Sequence, residues 1–140
     1  MFIRKYFFVI LVFFIYGCPQ KVDVIPESKL IYLNETPAKI KGYYYYNNHS
    51  SVHFTINAHS EFVRKFEGKL NLQDYLYQYD SMVVFYDDTI RITHYKDTMQ
   101  GGARHSILVP ENWEIVEETE NYREYRFTFT EEDYREVLKW

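Results

Sequence analysis

Apolar and polar residues alternate in short runs along most of this chain, and that period of two limits its fold more than any other feature. Val52, Phe54, Ile56 and Ala58 alternate with His53, Thr55 and Asn57, the pattern of a strand with one face buried. Tyr125, Phe127 and Phe129 face one way and Glu124, Arg126 and Thr128 the other. The chain holds 15 tyrosines and 11 phenylalanines, and a half-buried pleated surface suits both residue types. Further strand candidates are Leu30–Leu33, Lys39–Tyr46, Phe62–Phe66, Met82–Tyr86, Ile90–Tyr95, Ser106–Val109, Trp113–Val116 and Tyr122–Phe129. Asp87-Asp88-Thr89 joins two of them as a hairpin turn, because Asp tolerates the left-handed turn position. Gly101-Gly102 marks a mobile loop. Leu70–Tyr79 fits both periods: Tyr75, Tyr77 and Tyr79 alternate as in a strand, while Leu72, Tyr75, Leu76 and Tyr79 have helical spacing. It is read here as a strand. Thr130 followed by Glu131, Glu132 and Asp133 predicts the N-cap and acidic first turn of one short C-terminal helix. The expected fold is mainly β, a small antiparallel barrel or sandwich with that helix at its end.

The N-terminus follows a different rule. Arg4 and Lys5 precede an apolar run from Tyr6 to Tyr16, then Gly17, then Cys18. A charged start, a short apolar stretch and a small residue are the parts of a secretory signal. A transmembrane helix needs about 20 apolar residues, and Pro19, Lys21 and Asp23 close this run sooner. An uncleaved anchor helix is the alternative to a cleaved signal. The segment resembles a bacterial lipoprotein signal, with Ile15, Gly17 and Cys18 matching its lipobox. The resemblance implies cleavage between Gly17 and Cys18 and acyl chains on Cys18 that hold the protein to a membrane. It divides the chain into a signal over 1–17, a flexible tether over 18–28 and a single β-rich domain over 29–140. No acidic run follows Cys18, which favours a periplasm-facing domain over a cell-surface one.

Charge and cysteine usage narrow the partners. The 123 residues from Cys18 onward carry 14 basic and 20 acidic side chains. An acidic chain without a Lys/Arg cluster gains nothing from phosphates, so nucleic acid is not expected as a partner. Cys18 is the only cysteine, so no intrachain disulfide staples the domain. Its core must do that work, and 123 residues suffice for one.

Residues with chemical potential are present but scattered. His49, His53 and His59 lie close in sequence, yet their spacing matches no zinc pattern, and His53 belongs to the polar face of its strand; surface histidines are expected. Asp87-Asp88 is turn chemistry. Glu111, Glu114, Glu117, Glu118, Glu120 and Glu124 alternate with apolar residues as a solvated sheet face would. Gly101-Gly102 with Arg104 is the one anion-binding candidate. Asp80-Ser81-Met82, Asp88-Thr89-Ile90 and Asp97-Thr98-Met99 resemble a three-residue O-glycosylation motif of Gram-negative periplasmic proteins. No nucleophile elbow, Ser-x-x-Lys or phosphate-cradling glycine loop occurs. The chain is read as a non-enzyme without metal or cofactor.

Lys41-Gly42-Tyr43-Tyr44 at the start of a strand resembles the first-strand motif of lipocalins, with tyrosine in place of tryptophan. That resemblance implies a ligand-holding barrel. Two roles follow for a domain anchored through Cys18. One is a module that holds a small apolar ligand, and the other is a structural or interaction protein that docks on another envelope component. An interior cavity would favour the first and a filled core with an exposed apolar patch the second.

Overall fold

A computed structural model describes residues 24–47, 49–97 and 100–139. Gly17 and Cys18, with the signal and most of the tether, lie outside the described residues. Eight strands form two four-stranded sheets: β1 (Glu27–Asn34), β2 (Ile40–Tyr46), β3 (His49–Ile56), β4 (Ser60–Glu67), β5 (Ser81–Tyr86), β6 (Ile90–Tyr95), β7 (Glu114–Glu118) and β8 (Tyr122–Phe129). The first sheet runs β4-β1-β8-β7 and the second β3-β2-β5-β6. No ladder joins the sheets into a closed barrel among the described residues. Helix α1 (Leu72–Tyr77) lies between β4 and β5, a single 3-10 turn spans Pro110–Asn112, and α2 (Glu131–Val137) ends the chain.

Alternation decides what each strand buries. Leu30 and Tyr32 of β1, Ile40 and Tyr44 of β2, Phe54 and Ile56 of β3, Met82, Val84 and Tyr86 of β5, and Tyr125, Phe127 and Phe129 of β8 belong to one core. Rings cross from sheet to sheet: Tyr32 meets Phe54 at 4.6 Å between centroids, and Phe54 meets Phe129 at 5.8 Å. Such pairs add roughly 0.5–1.5 kcal/mol each beyond the area they bury. Gly42 makes this packing feasible. A Cβ there would lie 2.3 Å from Met82 Cε and 2.5 Å from Phe54 Cζ, so only glycine lets those side chains cross β2.

The structure corrects the sequence reading in several places. β1 and β8 pair in parallel, with Leu30 opposite Tyr125 and Tyr32 opposite Phe127, so the sheets are not wholly antiparallel. Side-chain alternation specifies a face but not a neighbour, and this pair is closed by a crossover that carries most of the domain. Leu70–Tyr79 is not a strand. Asn71 caps α1 by accepting from Asp74 N–H at 3.3 Å, and Leu72, Tyr75 and Leu76 are buried at helical spacing. Tyr77, which a strand would have buried beside Tyr75, is half exposed. Ser106–Val109 is a buried loop in which Trp113 Nε1 donates to Ile107 O at 2.8 Å. Ala58 lies exposed in the β3–β4 turn. Ordered structure begins before Lys29: Ser28 is fully buried, donating to Gly68 O at 2.9 Å and accepting from Leu70 N–H at 2.8 Å. The C-terminal helix forms as expected, with a capping box in which Asp133 N–H donates to Thr130 Oγ1 at 3.2 Å and Thr130 N–H to Asp133 Oδ2 at 2.8 Å.

Candidate functional site

The three neighbouring histidines do not converge. His49 and His59 are exposed, but His53 turns inward. Gly42 pairs with Phe54 and Tyr43 with Val52, so the register skips His53, and the bulge frees its side chain from strict alternation. Arg64 Nη1 lies 2.8 Å from His53 Nδ1 and 3.0 Å from Nε2, and Nε2 lies 3.1 Å from Tyr32 Oη and 3.2 Å from Tyr75 Oη. Burial lowers the His53 pKa to about 3, and the Arg64 charge acts in the same direction. Burial pushes the Tyr32, Tyr44 and Tyr75 hydroxyls well above their usual range. Near neutrality every ring here is uncharged, so the cluster ties β3 to β1, β4 and α1 and holds no poised acid or base.

A second polar group joins β6 to α2. His94 is buried, accepts from Ile107 N–H at 3.2 Å on Nδ1, and has an Nε2–H without a partner among the described residues. Burial lowers its pKa to about 3. His105 stacks on Phe127 at 4.6 Å and places Nδ1 3.1 Å from Asp133 Oδ2. That hydrogen bond raises His105 against the opposing effect of burial. Burial would raise Asp133, but bonds from His105 and Thr130 together hold it below the ordinary carboxylate value. The space beside these groups is about 10 Å³, the size of one water.

The remaining candidates are structural. Asp87 and Asp88 have φ of 50° and 61°; Asp87 accepts from Lys39 N–H at 2.8 Å and Asp88 pairs with Lys41 at 2.6 Å. Gly102 is no slack loop. Its φ is +86°, a Cβ would lie 2.2 Å from Thr93 O, and Ala103 N–H donates to that same oxygen at 2.9 Å. Arg104 pairs with Glu136 at 3.1 Å. Thr89 is exposed in the β5–β6 turn and Ser81 opens β5, while Thr98 and Met99 lie outside the described residues. No three His, Cys, Asp or Glu side chains converge on a metal position among the described residues.

One surface combines apolar lining with an open approach. β7 is the edge strand of the first sheet, and all five of its residues are exposed. Ile115 stands opposite Tyr125 across the β7–β8 ladder, so both occupy the sheet's inner face. Tyr125 is covered, whereas Ile115 is 59% exposed. The result is a slot of about 350 Å³ with Leu72, Trp113 and Tyr125 as its floor and Ile115 as a wall. The N-cap Asn71, Gln73 of α1, and Pro110 and Glu111 of the 3-10 turn complete its lining. Sequence reading found the strand and its acidic face but missed the slot, whose floor is assembled from α1, the end of the 3-10 turn and β8. No protein-family model, curated protein or solved structure matches this chain.

Proposed function

We propose that this chain is a non-catalytic envelope lipoprotein, acylated at Cys18, that works by docking another envelope component at the β7 edge. The observation that carries this reading is where apolar surface is left over. Aromatic rings fill the space between the sheets. Exposed apolar side chains also occur at Ile25, Tyr46, Tyr77 and Leu138, but Ile115 is the one that stands beside an apolar-floored slot. A lipocalin-like module would need a closed ladder and an interior chamber for its ligand. The Lys41–Tyr44 motif instead supports a tightly packed strand crossing at Gly42. A slot of about 350 Å³ matches the lower range of small-ligand pockets. Its open side would leave such a ligand wet, which favours a partner that continues beyond the slot.

Anchoring sets the geometry of the encounter. The nine residues from Cys18 to the start of β1 span at most about 30 Å, which keeps the domain close to the bilayer. No described helix is long and apolar enough to cross a membrane, so the acyl chains on Cys18 carry the attachment in this reading. Two measurements test it. The mass of the membrane-extracted protein should equal residues 18–140 plus acyl chains, and Cys18→Ala should lose that mass. A photocrosslinking amino acid placed at Ile115 should give a discrete adduct in cells, and one at Val63 on the opposite edge strand should not. A full-length, lipid-free mass would overturn the anchor, and equal labelling at both positions would overturn the docking site.

A further inference from the structure

The slot and the strand beside it select for a particular chemistry of partner. The outer edge of β7 pairs with no strand among the described residues, so a strand's worth of backbone groups faces solvent there. Around it the charge is one-sided. No lysine or arginine occurs between Arg104 and Arg123, and Glu111, Glu114, Glu117, Glu118 and Glu120 fall in that interval. Glu114 pairs with Arg126 at 3.4 Å and Glu118 with Arg123 at 2.8 Å. Glu111, Glu117 and Glu120 have no ion pair among the described residues. Glu117 even stands opposite Glu124 in the β7–β8 ladder, an arrangement that costs stability.

We infer that the β7 edge recruits an extended polypeptide segment in which basic and apolar residues alternate, added to the sheet as a further strand. This rests on the docking reading above. Backbone groups of the segment pair along β7, one set of side chains enters the slot over Trp113 and Ile115, and the other set meets Glu117 on the opposite face, with Glu111 and Glu120 flanking the strand. The same carboxylates work against the competing occupant. A second copy of this chain pairing edge to edge would set Glu114, Glu117 and Glu118 against their own counterparts, and the bulge at Val116 further disfavours a flat, self-complementary edge. A basic strand turns that repulsion into attraction and relieves the Glu117–Glu124 opposition.

The test uses the full chain in detergent and a fluorescein-labelled peptide of alternating lysine and valine, followed by anisotropy. The peptide should bind, and more weakly as salt rises from about 0.05 M to about 0.3 M, while its glutamate–valine counterpart should not bind. Glu117→Lys with Glu120→Lys should weaken binding about tenfold or more and flatten the salt dependence. The same pair should leave the thermal midpoint unchanged or higher, since it removes a like-charge opposition. Ile115→Ser should weaken binding and keep the salt dependence, which separates slot contact from diffuse attraction. Equal binding of both peptides, indifference to all of these substitutions, or a stable dimer of the free protein would overturn the inference. The crosslink at position 115 separates the two levels. If it forms while the lysine–valine peptide fails, docking stands and only the basic-strand chemistry falls; if it is absent, the docking reading itself falls.

Discussion

Acid should unfold this domain earlier than its carboxylates alone would require, because His53 and His94 are held neutral. Burial is the larger cause in both, and each has a folded pKa of about 3. A group with a depressed folded pKa contributes stability above its unfolded value of 6.5, and that stability is lost as pH falls through 6.5 towards 3. At pH 5 the unfolded histidine lies ~1.5 units below its pKa, which at 1.36 kcal/mol per unit costs the fold about 2 kcal/mol per residue. Together they remove up to about 4 kcal/mol between pH 7.5 and pH 5, a large part of the 5–15 kcal/mol typical of a domain. His105 acts in the opposite direction and offsets part of this loss. Its pKa is raised by Asp133, so its contribution is complete below 6.5 and is lost as pH rises through the folded value. The comparison is urea unfolding at both pH values, read by tryptophan fluorescence, for the parent and His94→Gln. Gln stays neutral and can still accept the Ile107 N–H. The substitution should remove about half of the pH-dependent loss. An unchanged loss in the variant would refute the claim that burial holds His94 uncharged.

Two further substitutions probe the fold. Gly42→Ala forces a methyl group against Met82 and Phe54 and should destabilise by about 1–3 kcal/mol through overpacking; a calorimetric midpoint within a degree of the parent would mean that the strands separate freely there. Thr130→Ala deletes one half of the capping box and should cost ~0.5–2 kcal/mol, seen as a lower melting temperature with the β signal in circular dichroism retained.

Legibility followed the range of the interactions involved. The β5–β6 hairpin could be read because two positive-φ aspartates and the strands they join are neighbours in sequence. The C-terminal helix could be read because its cap, acidic turn and buried Val137 lie within eight residues. Leu70–Tyr79 could not, since both periods fit its tyrosines and only packing against the 3-10 turn and the core chose the helix. His53 was misplaced for a related reason: one bulge residue breaks alternation, and nothing in the strand's own composition announces it. The acidic face of β7 was visible as a row of glutamates. The slot behind it was not, because Leu72, Trp113 and Tyr125 come from segments more than fifty residues apart at the extremes.

The amino-acid sequence by itself determined a β-rich, disulfide-free domain, its turn chemistry, its helix cap and its acidic balance. These rest on periodicity, on residues with restricted backbone preferences and on charge, all of which act over a few residues. Tertiary structure alone decided that β1 and β8 run parallel, that the sheets stay open as two layers, that His53 and His94 lie inside, and that Ile115 is left uncovered on an inner face. Each of those depends on which surfaces meet, and a surface left bare is defined only by where its covering stops.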